Sequence, residues 1–186
     1  MAAKSQNKST APRTTFRQEA PTFEKARMLA PTEAQAEKIS AAYALDPVDY
    51  TGIREATRDS ITRLAEVLVL NEVALKIHLQ RLVGAHVVSA VRAGEFYSER
   101  VTRARELTTG NDDRDDRDGP AGFESRAARA RQFAAEAALQ ARALLGAADG
   151  AQAAYEHLTG EQWKPYEGIA APVSRQVAAA ELDAFT

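Results

Sequence analysis

The stretch IREATRDSITRLAEVLVLNEVALKIHLQRLVGAHVVSAVRAGEFYSERVTRAREL, residues 53–107, decides the fold. It contains no proline, and Gly84 and Gly94 each cost a helix only about 1 kcal/mol. A continuous helix of that length would span on the order of 80 Å, so the sequence predicts either a long hairpin arm or a kink near one of those glycines. Stepping about 100° per residue from Leu64 brings Leu68, Leu75, Leu82, Ala93 and Phe96 to one side, with Ile61 close by. A second stripe, Val69, Leu70, Val73, Ile77, Val87, Val88 and Val91, falls on the opposite side. A helix that is apolar all round is covered all round. The second stripe therefore reads as a self-association face, with Val69, Val73, Ile77, Val87, Val88 and Val91 as its candidate residues and a dimer as the expected state.

The flanking sequence extends the helical reading. Thr32-Glu33-Ala34-Gln35 has capping-box spacing and opens a helix running to about Leu45. Asp46-Pro47 then offers an N-cap and a first helical residue for the next helix. TTGNDDRDDRDGPAG, residues 108–122, is the clearest loop. A last long helix is expected from about Phe123 to Leu158, with Phe133, Ala137, Leu144, Ala148, Ala151, Tyr155 and Leu158 sharing a mostly alanine face. Gly146 and Gly150 are expected to kink or break it, and Thr159-Gly160 to end it. The fold class expected is all-α: a long antiparallel helical hairpin or bundle with a short N-terminal helix and flexible ends.

Three regions follow. Residues 1–31 read as a disordered basic arm, with Lys4, Lys8, Arg13, Arg17, Lys25 and Arg27 against Glu19 and Glu24. Residues 32–160 form the helical bundle. Residues 161–186 form a tail with a short helix capped by Ser174, in which Trp163, Tyr166, Val177, Leu182 and Phe185 are candidate docking residues. Trp163 and Tyr166 are expected to fold back on the domain, whereas neither the arm nor the last helix, Ser174 to Phe185, is expected to contribute to the core, because isolated helices shorter than about 12 residues are marginal in water.

Composition narrows function mainly by exclusion. The chain has 186 residues, 45% of them hydrophobic, no cysteine and a net charge of −2. The missing cysteine removes disulfides, thiolate zinc sites, iron–sulfur centres and cysteine nucleophiles. The near-neutral charge argues against wholesale polyanion binding. No apolar run approaches the roughly 18 residues of a spanning helix, and no signal-like apolar stretch follows the first charges, so a cytoplasmic protein with no membrane association is expected.

The candidate sites are few. Asp112, Asp113, Asp115, Asp116 and Asp118 invite a calcium reading. With Gly119 at position 6 of an EF-hand loop, Arg114 and Ser125 occupy ligand positions, and both are unsuitable. No metal is expected. Asn71, His78, His86 and Ser89 lie along the apolar seam and read as a candidate polar core network. Their spacing does not suit a helical metal pair, which needs i,i+3 or i,i+4 with carboxylates alongside. No G-x-S-x-G, phosphate-binding loop or dinucleotide loop occurs, so neither an enzyme nor a cofactor is expected.

The stretch NDDRDDRDGPAGFESRAARARQFAAE, with the later HLTGEQWKPYE, resembles uncharacterised small helical proteins of alphaproteobacteria over roughly residues 60–170. The resemblance implies an all-helical fold and a bacterial source, and it carries over no functional residue. The leading functional expectation is a non-enzymatic helical interaction or assembly protein that associates with itself and with another protein. The alternative is a DNA-associated accessory or regulatory protein. It would use the basic arm, a helix–turn–helix-like order of Thr32–Leu45, a turn over Asp46–Thr51 and a second helix from Gly52 onward bearing Arg54 and Arg58, and an arginine patch of Arg100, Arg103, Arg105, Arg126, Arg129 and Arg131.

Overall fold

The computed structural model describes residues 20–109 and 119–165, and every element in them is a helix. α1 is Phe23–Leu29, α2 Glu33–Tyr43, α3 Tyr50–Val67, α4 Glu72–Thr109 and α5 Gly119–Thr159. The protein is an all-α helical bundle organised around α5, against which α2, α3 and α4 all pack. Lys76 of α4 pairs with Glu161 just beyond α5 at 2.6 Å, which fixes α4 as antiparallel to α5. On α3, Tyr50 lies against Gly146 and Arg54 against Gly150, so α3 runs parallel to α5. The expected long antiparallel hairpin is α4–α5.

Residues 53–107 do not form one helix. The chain leaves the helix after Val67, passes through Leu68 with φ −75° and ψ 111°, and restarts at Glu72. Asn71 starts the new helix: its side-chain Oδ1 accepts a hydrogen bond from the Ala74 amide at 2.9 Å. Asparagine at the N-cap and glutamate in the first turn are a start signal. The continuous apolar pattern across it obscured that signal. Gly84 and Gly94, the expected kink sites, lie inside α4.

Caps account for the other boundaries. The Thr32–Gln35 capping box forms as the spacing predicts, with Gln35 Oε1 accepting from the Thr32 amide at 2.9 Å and Thr32 Oγ1 accepting from the Gln35 amide at 3.4 Å. α2 stops at Tyr43, where Ala44 takes up a left-handed conformation at φ 52°. Asp49, not Asp46, is the N-cap of α3, and its carboxylate accepts from the Gly52 amide at 2.8 Å. α5 ends at Thr159, followed by Gly160 at φ 70°.

The boundary of the expected arm is corrected. Residues 21–31 belong to the bundle. Thr22 caps α1, Ala26 is fully buried and Phe23 is 9% exposed. The Phe23 ring meets Trp163 edge-on at 5.4 Å between centroids. A Cβ added at Gly94 would overlap Leu29, so the bare backbone of α4 is the seat of α1. So short a helix carries too few apolar residues for periodicity to show, and its stability comes from α4 and Trp163. The expectation that residues before 31 lie outside the core therefore fails for 21–31. Residues 1–19 lie outside the described residues.

Gly146 and Gly150 do not break α5. Both are buried contact points for α3. A Cβ on Gly150 would penetrate the Arg54 carbonyl oxygen and come within 3.0 Å of Thr57 Cβ. A Cβ on Gly84 would meet only Trp163 Cζ2, at an ordinary 3.9 Å. The same substitution should therefore have opposite effects on the two helices. Gly84→Ala gains helix propensity and should raise the thermal midpoint by about 2–4 °C. Gly150→Ala should lower it by about 3–10 °C through overpacking. Differential scanning calorimetry of both variants checks the pair, and equal effects would mean that α3 does not sit on α5 as described.

Candidate functional site

The expected self-association face is divided by the structure. Val87 is fully buried and Val91 is 4% exposed, both in the chain's own core, and Val88 is half-buried. Val87 and Val91 face inward and are corrected as interface candidates. The physical reason is that α5, α1 and Trp163 already cover the middle of α4, so no second copy is needed there. Val69, Val73 and Ile77 remain exposed, at 102%, 69% and 46%. Leu64, Val67 and Leu70 are exposed beside them along the chain. Together these six residues occupy the last turns of α3, the link and the first turns of α4. Only Ile61 of α3 is buried, because α3 packs on α5 alone, and its outer side has no cover. A run of six large apolar side chains in water at one corner is the feature of this surface that stability does not explain.

The four residues of the expected polar network do not converge. Asn71 is an exposed N-cap. Ser89 is exposed and donates to the Ala85 carbonyl on its own helix at 2.9 Å. His78 is exposed, and His86 is half-buried with its pKa pushed down by that burial. No hydrogen bond joins any two of them among the described residues, so the reading as one network is corrected. An apolar seam of this length simply passes them at its edges.

Of the tail residues, Trp163 is buried at 7% exposure and its Nε1 donates to the Gln80 carbonyl at 3.2 Å. Gln80 Nε2 donates to the Lys164 carbonyl. Tyr166, Val177, Leu182 and Phe185 lie outside the described residues, as do Asp112, Asp113, Asp115, Asp116 and Asp118. Among the described residues no group of three or more His, Asp or Glu side chains could hold a metal. Within the arginine patch, Arg100 lies over the Phe96 ring at 4.5 Å and Arg103 pairs with Glu106 at 3.3 Å. α2 and α3 each seat on α5 and do not form a packed helix–turn–helix pair.

Sequence reasoning missed a polar brace at the centre of the bundle. Asp149 of α5, with its side chain only 12% exposed, accepts from Arg27 Nη2 at 2.7 Å and from the Tyr50 hydroxyl. Arg142 lies 4.0 Å over the Tyr50 ring and reaches Glu33 at 3.7 Å. The brace ties α1, α2 and α3 to α5. Its sequence signal was weak, since an aspartate between two alanine stripes looks like any solvated residue. Desolvation, then the bond to Asp149, pushes the Tyr50 pKa up to about 12. Tyr50 therefore stays protonated as a donor and is unsuited to act as a base near neutrality.

Comparison with protein-family models, with curated proteins and with solved structures gives no significant match. Among the described residues, no helix is long and apolar enough to cross a membrane.

The brace makes a pH prediction. A phenol whose folded pKa is raised holds its proton more tightly in the native state. Its stabilisation is complete below pH 10 and is lost as pH rises toward about 12. Tyr50→Phe should cost about 1–3 kcal/mol at pH 7 and should remove this alkaline dependence. Urea unfolding at neutral and alkaline pH measures both effects. If the variant and the natural chain lose stability in parallel above pH 10, the Tyr50–Asp149 bond is not the cause.

Proposed function

We propose that the protein is a non-enzymatic helical interaction module that associates with itself through the α3–α4 corner. The observation that carries this reading is the exposure of Leu64, Val67, Val69, Leu70, Val73 and Ile77 across the end of α3 and the start of α4, six of the ten exposed large apolar side chains among the described residues. Isologous pairing of two such corners would place each apolar set against its own copy, which is the commonest way for a single chain to cover such a patch. Burial at the rate of roughly 25 cal/mol per Å² favours the pairing.

Val69→Asp with Val73→Glu tests the reading without touching the core, since both side chains are exposed. Light scattering after gel filtration at about 50 µM, a concentration that populates a micromolar dimer, should give the natural chain a mass near a multiple of 20.1 kDa. The double variant should elute as a monomer with an unchanged circular dichroism spectrum. A monomeric natural chain would overturn the proposal, and so would a variant that still associates.

A further inference from the structure

A second surface feature lies at the other end of the bundle, independent of the corner. α2, α4 and α5 enclose an open groove of about 330 Å³ near the hairpin tip. Ile39 and Tyr43 form one wall, Val101 and Ala104 another, and Ala134 and Ala135 a third. The groove arises because α2 ends at Tyr43 and because the residues facing it from α5 are alanines, too small to fill the space. Among the described residues its lining includes no carboxylate, and it includes two arginine side chains, Arg105 from α4 and Arg131 from α5. Neither arginine side chain forms an ion pair among the described residues. The neighbouring hydroxyls of Thr108 and Thr109 donate to backbone carbonyls of their own helix, at 2.7 and 3.0 Å. The charged hydrogen-bonding capacity of the groove therefore rests with the two arginines.

We propose that this groove binds a small amphipathic anion, with a hydrocarbon body on the apolar walls and a carboxylate held by Arg105 and Arg131. Both halves of the ligand follow from the lining. An apolar trough favours hydrocarbon over water, and arginine presents a planar donor fork that matches a carboxylate. Volume sets the size. A cavity of about 150 Å³ accommodates benzene, so 330 Å³ corresponds to roughly a dozen non-hydrogen atoms, the size of a medium-chain fatty acid. Ligand sites of about 300 Å³ are at the small end of the usual range, which agrees with a ligand of that size.

Decanoate is the probe, and decanol and butyrate are its controls. Amide chemical shifts of the full-length protein are followed during titration with each. Decanoate should shift residues around Val101, Ala104 and Ala134. Decanol, which lacks the charge, and butyrate, which lacks the chain, should each bind about tenfold more weakly or worse. Arg105→Gln with Arg131→Gln should weaken decanoate by about tenfold or more while leaving decanol unchanged. Both arginines are exposed, so the variant should keep the fold, and an unchanged thermal midpoint verifies that. No shift at about 1 mM decanoate, a concentration that would reveal even millimolar affinity, would overturn the proposal. Equal binding of decanol and decanoate would overturn it as well, because the arginines would then have no part. So would shifts centred on Val73 and Ile77, which would place the ligand on the apolar corner.

Discussion

How closely two helices approach depends on the side chains between their axes, and those of α5 are mostly alanine and glycine. Ala138, Ala141, Ala148, Ala151 and Ala154 are fully buried along it, and Gly146 and Gly150 carry the contact with α3. Helix axes separate by about 8–10 Å depending on the residues at the contact, and alanine and glycine favour the lower end. The large side chains of the core come mostly from the partners, Leu79, Val83 and Val87 from α4, Ile61 from α3 and Phe23 from α1, joined by Leu145 and Tyr155 of α5 itself. The rest of the bundle follows from this contrast between a spine rich in small residues and bulkier partners.

Because α5 is smooth, α3 and α4 can both lie along it, one parallel and one antiparallel. Each then buries one side on the spine. α4 gains further cover from α1, which sits on Gly94, and from Trp163, which lies beside Gly84 and holds the chain after α5 against Gln80. α3 has no such cover, and the apolar residues at its end continue into the start of α4. The exposed corner and the groove lie at opposite ends of the spine. At one end α3 and α4 run past the last turn of α5, since Arg54 lies against Gly150 and Lys76 pairs with Glu161, and at the other the alanines of α5 lie beyond the end of α2.

The all-helical fold, the α4–α5 hairpin, the Thr32 capping box and the Gly160 terminus are legible because each rests on local signals, periodicity and side chains a few residues apart, whereas of the expected loop 108–122 residues 108–109 and 119–122 are helical and 110–118 lie outside the described residues. The break at Leu68–Asn71 was less legible. Apolar periodicity runs straight through it, and within that pattern Asn71 reads as a polar residue on the seam, not as a cap. α1 and the roles of the glycines depend on partners distant in sequence, Leu29 on Gly94 and Arg54 on Gly150, which no window reading contains. Val69 to Val91 do not form one helical stripe: the break after Val67 resets the phase, Val87 and Val91 join Leu79 and Val83 in the core, and Phe96 of the expected core side is exposed. The Tyr50–Asp149 brace was hidden for the same reason, since its partners are far apart in the chain.

Hydrogen exchange across the native state tests most directly whether α5 is the element on which everything else rests. Amides from Ala137 to Ala154 should exchange only through global unfolding, together with the stretch of α4 around Leu79 to Val91 that packs against them. Amides of α2 should open at a lower free energy, because α2 packs on α5 and covers only part of it. If the middle of α5 exchanges as fast as α2 while α4 stays protected, α5 is not the spine of the bundle and the account is wrong.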